Sequence, residues 1–202
     1  MTGDLLKIVN QYAAGLQEVA QRRNEWLLKY KLVRDQLKQI ATELNENADY
    51  KPGFYVDSNR AFNEEINGTC AEMPSLTFRC GDMPLELRFK NAAGERREFV
   101  EKGFSITFDP TITGQIIVTL QPHVNSLSGE KPQPATLAVI DKPANLTPEI
   151  VTQIMAIGIQ GAFYTSFTGA LHLQEKEIND TPQQKQYSPI GFKRYASTEK
   201  VQ

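Results

Sequence analysis

Residues 5–44 read LLKIVNQYAAGLQEVAQRRNEWLLKYKLVRDQLKQIATEL, and the spacing of their apolar side chains decides the first part of the fold. Leu5, Val9, Tyr12, Leu16, Val19, Trp26, Tyr30, Val33, Leu37, Ile40 and Leu44 recur at alternating steps of four and three. Arg23 occupies the one position of the series that is not apolar. This spacing keeps one side of an α-helix apolar and is the seam of a coiled coil. No proline interrupts residues 3–46, and Gly15 is the single mid-helix glycine, costing about 1 kcal/mol relative to alanine.

The apolar stripe is wider than a strict seam. Leu6, Ala13, Ala20, Leu27 and Ala41 border it on one side and Ile8 on the other. Such width suits a helix covered by more than one neighbour. Tyr12, Trp26 and Tyr30 are bulky for a tight two-stranded coil, so a bundle, or a helix docked partly on its own domain, fits as well as a simple dimer. A straight helix over these residues runs about 65 Å at about 1.5 Å per residue. A compact domain of about 100 residues has a radius of gyration near 13 Å, too small for one face to cover the whole stripe. The helix must therefore fold back or meet a second chain, and the pattern predicts a homo-oligomer joined through this seam.

Downstream, residues 49–75 read as a connector, with a turn at Lys51-Pro52-Gly53 and a short helix from Ser58 or Asn59 to Ile66, Gly68 lying just past its end. Residues 76–173 then read as an α+β domain. Leu76, Phe78 and Cys80, then Leu85, Leu87 and Phe89, then a long strand over 97–108, then Ile116, Val118 and Leu120, alternate with polar residues at the period of a half-buried strand. A fifth strand follows at 135–141. The short turns between them predict an antiparallel meander with one apolar face. Thr147-Pro148-Glu149 is a helix start, and the apolar residues that follow predict a covering helix over 147–168. Residues 150–173 carry no Asp, Glu, Lys or Arg, yet their Thr, Gln and Ser content and the waiting sheet face favour a core helix over a membrane span. Residues 174–202 read as a polar tail, with aromatic and basic residues gathered in Tyr187 to Tyr195. The whole is therefore α+β: residues 1–48 a coiled-coil-type helix, then a sheet of about five strands covered by one apolar helix.

Composition limits what the chain does. Apolar residues make up 40% and charged residues 23%, the balance of an ordinary globular protein. The formal net charge of -2 and sequence pI near 5.8 argue against a generally basic nucleic-acid binder. Met1-Thr2-Gly3-Asp4 opens no basic-then-apolar leader, which favours the cytoplasm, where Cys70 and Cys80 are expected as free thiols.

No motif predicts catalysis, a metal or a cofactor. The cysteines are ten residues apart and His123 and His172 stand far from one another, without the paired spacing of zinc ligands. Cys80, His123 and Asp141 supply the residue types of a thiol triad, but Cys80 lies on the apolar side of its strand, where a small buried hydrophobe is the simpler reading. The phosphate-binding and nucleophile-elbow glycine patterns are absent. One charge feature stands out. Between residues 22 and 38 six basic side chains face two acidic ones, and Lys31, Arg34 and Lys38 share a helical face. Arg79, Arg88 and Lys90, on the polar parity of the strands, suggest a second basic patch. The leading expectation is a non-enzymatic interaction or structural protein that self-associates through its N-terminal helix and meets another protein. The alternative is a polyanion or nucleic-acid binder using Lys31, Arg34 and Lys38.

Overall fold

In the computed structural model, which describes residues 2–49, 52–66, 69–90, 93–125 and 132–166, helix α1 runs unbroken over Thr2–Asn47. Its 46 residues span about 69 Å. Among the described residues, only its C-terminal half meets the rest of the chain. Trp26, Val33, Leu37 and Ala41 are buried, and Tyr30, Ile40 and Leu44 pack against the same core. At the helix end Asn45 replaces a strand partner: its Nδ2 donates to Phe54 O at 2.8 Å and its Oδ1 accepts from Phe54 N at 2.7 Å. Both polar groups of the first strand residue are thereby satisfied before the sheet begins.

That strand, β1 (Phe54–Ile66), corrects the connector reading, because the segment expected to hold a short helix is extended. It pairs antiparallel with β2 (Thr69–Cys80) from Phe54–Cys80 to Ile66–Thr69. Ser58 and Asn59 are good local helix caps, but the long ladder with β2, shifted in register once between Arg60 and Phe62, outweighs that preference. Asn67 and Gly68, the pair between the two strands, lie outside the described residues.

The main sheet has five antiparallel strands in the order β1-β2-β5-β6-β8, where β5 is Ser105–Pro110, β6 Ile116–Gln121 and β8 Ala135–Ile140. It is not the simple meander expected from residue 76. The strands β3 (Met83–Lys90) and β4 (Arg96–Lys102) leave it as a hairpin and form a second sheet with the short β7 (Val124–Asn125). Glu86 has φ 58° between the two paired stretches of β3 and β4, where their register breaks.

The expected long strand over 97–108 is cut at Gly103, and the cut is where the chain passes between sheets. Cys80 N donates to Phe104 O at 3.0 Å, and Gly81 N donates to Gly53 O at 2.9 Å. A Cβ on Gly103 would run into the Cys80 carbonyl and stand 2.6 Å from Gly81 O. Only glycine lets the two backbones come this close.

Helix α2 (Pro148–Tyr164) covers the apolar sheet face, as expected, with Thr147 Oγ1 accepting from Ile150 N at its start. Val151, Ile154, Met155, Gly158 and Ala162 face the sheet. A Cβ on Gly158 would stand 2.8 Å from Leu137 Cδ1, so the small residue sets the distance between helix and sheet. The rings of Phe54, Phe78, Phe104 and Phe163 close one end of the core at centroid separations of 5.7–6.4 Å. Among the described residues no helix is long and apolar enough to cross a membrane. The expected tail, residues 174–202, lies outside the described residues.

Candidate functional site

The stripe on α1 is divided between two environments. From Trp26 onward it belongs to the chain's own core. The Trp26 indole Nε1 donates to Pro74 O at 2.9 Å, and its ring meets Tyr30 edge-on at 5.8 Å. Polar side chains beside it hold the 3-10 turn Pro143–Asn145 and the start of α2. Lys29 Nζ donates to Leu146 O at 3.3 Å, Gln36 Nε2 to Pro148 O at 2.6 Å and Thr152 Oγ1 at 3.0 Å, and Glu25 Oε2 accepts from Ala144 N at 3.3 Å.

Before Trp26 the same stripe is open. Leu5 is 61% exposed, Val9 61%, Tyr12 68% and Leu16 54%, while Val19 is half-buried. The flanking Leu6 and Ile8 are equally open. Roughly 30 Å of helix therefore stands clear of the domain. The structure brings Trp26, Tyr30, Val33, Leu37, Ile40 and Leu44 into a shared core and leaves Leu5, Val9, Tyr12 and Leu16 together on a surface.

Arg23, the break in the series, sits at the boundary. Its Nε donates to Ile112 O at 3.1 Å, and its Nη2 donates to the same carbonyl. Ile112 belongs to the turn between β5 and β6, where Gly114 has φ 77° and a Cβ on it would stand 2.6 Å from Arg22 Cβ. The turn thus takes α1 at residues 22–23, and the helix leaves the domain there.

The charged candidates are not gathered in the same way. Lys31 and Lys38 are exposed on α1, but Arg34 is held by Asp35, whose Oδ1 accepts from its Nε at 3.0 Å and its Nη2 at 2.9 Å. The second patch is split, correcting the expectation of one basic sheet face. Arg79 stays on the main sheet in an ion pair with Asp57 at 2.7 Å, whereas Arg88 and Lys90 lie on β3 in the other sheet. The polar face of the main sheet instead carries a row of aligned positions, Asp57, Thr77, Thr107, Thr119 and Thr136, one on each strand. Thr77 and Thr107 approach through their hydroxyls at 3.3 Å. Thr77 is buried, so the row is closed at β2.

Cys80, His123 and Asp141 do not come together as a triad. Cys80 is buried with its thiol toward Gly81 O. Asp141 is exposed, accepting from Gln115 Nε2 at 2.6 Å beside the Ile116–Ile140 pair. That is the opposite end of β6 from the ring cluster, a strand length of about 17 Å. His123 is buried among rings, 5.2 Å from Phe104 and 5.6 Å from Phe163. Its Nδ1 lies 3.2 Å from Lys102 O, which makes Nδ1 the donor, and its Nε2 has no partner among the described residues. Burial holds its pKa below the ordinary histidine value, against the opposing pull of Glu101 and the Lys102 carbonyl. Among the described residues no three His, Cys, Asp or Glu side chains gather where they could hold a metal ion.

Compared with known proteins, the chain matches no family model, no curated protein and no solved structure.

Proposed function

We propose that the protein is a self-associating interaction module in which the free N-terminal half of α1 joins copies of the chain and the α+β domain is the body each copy carries. One observation supports this above the others. A single apolar stripe is filled by the protein's own core from Trp26 onward and continues at more than half exposure through Leu5, Val9, Tyr12 and Leu16. An apolar surface on a projecting helix is the usual mark of an interaction site. Water contact along that length is unfavourable by about 25 cal/mol per Å² of apolar area, so covering it drives association.

The two halves of α1 also make the test clean. Val9 and Leu16 touch nothing in the core, so charging them leaves the folded chain intact. Light-scattering mass after size exclusion, over a dilution series, compares the full chain with the Val9→Glu/Leu16→Glu variant. The expected result is an assembly for the full chain and a monomer for the variant, with the same Trp26 emission in both. A full chain that stays monomeric throughout the series would overturn the reading.

A further inference from the structure

We infer that the free half of α1 assembles with more than one other copy, as a bundle of at least three helices; this rests on the self-association proposed above. The case comes from how the exposed apolar residues are distributed around the helix. At about 100° per residue, Ile8, Leu5 and Leu6 spread over an arc of roughly 160°. A two-stranded seam covers a narrower strip, and the positions beside it ordinarily carry the Glu and Lys residues that fix the pairing. Here those positions hold Leu6, Ile8, Ala13, Gly15 and Ala20. The charged residues of the free half, Asp4, Lys7 and Glu18, fall on the far side.

Area points the same way. The four open seam residues expose on the order of 450 Å² of side chain, short of the roughly 800 Å² per partner that a stable interface buries. Adding the flanks brings the total near that size, so the flanks must be covered along with the seam, and helices on both sides cover apolar flanks more fully than one partner does. The row Leu6, Ala13, Ala20 and Leu27 makes the point at the base of the free half. There Trp26 is already buried by the chain's own strands, while Leu27, one residue on, is still 48% exposed. The open surface therefore faces a second direction, which the domain leaves uncovered. Small residues at 13, 15 and 20 would let several helices approach closely along it.

The full chain is measured by sedimentation equilibrium, beside a Leu6→Glu/Ile8→Glu variant that leaves Leu5, Val9, Tyr12 and Leu16 in place. Both altered residues are more than 60% exposed in the single chain, so circular dichroism and Trp26 emission should not change. The expected result is a trimer or larger for the full chain and a smaller species for the variant. A dimer for the full chain, or a variant with undiminished mass, would overturn the bundle while leaving self-association standing. A full chain that is monomeric at every concentration would overturn both.

Discussion

Replacing Trp26 by alanine should destabilise the folded chain by about 4 kcal/mol, whereas replacing Leu16 by alanine should leave it within about 0.5 kcal/mol. The two residues occupy the same stripe three turns apart, and the difference comes entirely from what the structure places against them. Trp26 is fully buried, and its loss removes a large apolar surface and opens a cavity, a combined cost of roughly 3–5 kcal/mol. It also removes the donor to Pro74 O, leaving a part-buried acceptor at a further cost of about 1 kcal/mol or more, partly relieved if water enters the cavity. In a chain of 202 residues each kcal/mol shifts the unfolding temperature by about 2–4 °C, so Trp26→Ala should lower it by roughly 8–16 °C. Leu16 loses little, since it is more than half exposed and alanine is at least as good a helix former. Any stabilisation of the assembly by Leu16 depends on concentration, so urea denaturation should be run in the dilute limit. The chain has a single tryptophan, which lets the wild type report on docking directly. Its emission should shift to the red in the same urea transition that melts the sheet by circular dichroism. If Trp26→Ala costs less than about 1 kcal/mol, or Trp26 emission shifts well before the sheet melts, α1 is not part of the core and the division at Arg23 is wrong.

Three further outcomes follow from single contacts. Gly103→Ala should prevent the soluble fold or cost several kcal/mol, because the new Cβ meets the Cys80 and Gly81 carbonyls rather than a side chain that can move; a variant of wild-type stability by urea titration would contradict the crossing geometry. Acidification should cost stability through His123: its folded pKa lies below the ordinary 6.5, so the unfolded chain takes up the proton first, and stability falls as pH drops from about 6.5 toward the folded value. His123→Phe should flatten that part of the stability curve between pH 7.5 and 5.5, and an unchanged slope would assign the effect to other groups. Arg23→Ala should free the Ile112 carbonyl and cost about 1–2 kcal/mol by urea titration in the dilute limit, while a variant at wild-type stability would show that the turn does not hold the helix.

What could be read from the residues alone follows the distance over which each feature is decided. The four-three spacing of α1 and the Thr147-Pro148-Glu149 start of α2 are set within one or two turns of helix, and both elements start where expected, although α2 ends at Tyr164 rather than at 168. The strands over 116–121 and 135–140 were legible for the same reason, since alternation along each is enough to sort its two faces; the alternation of Phe104, Ile106 and Phe108 was legible too, but not the break at Gly103 that divides the expected strand over 97–108. The order of the strands was not legible. β5 lies beside β2 rather than beside β3, and that choice rests on Phe104, Ile106 and Phe108 entering the core while the β3–β4 hairpin turns away. The helix expected at 58–66 failed similarly, because its caps are local and its strand partner, β2, lies across the turn.

The candidate surface shows the same limit from the other side. All eleven seam residues share one helical pattern, and nothing within the pattern distinguishes Leu16, which faces solvent, from Leu37, which is fully buried. The distinction comes from the turn at Ile112, 89 residues away from Arg23. Arg23 looked like a defect in a coiled-coil seam. Placed in the structure, it is the residue a helix needs where its apolar stripe changes partner: a long side chain that keeps its stem on the stripe while its guanidinium satisfies a turn carbonyl at the domain edge. A charged residue that interrupts an otherwise continuous heptad can therefore mark where one covering surface ends and the next begins. On this protein it separates the half of α1 that packs into the core from the half whose apolar stripe stands open.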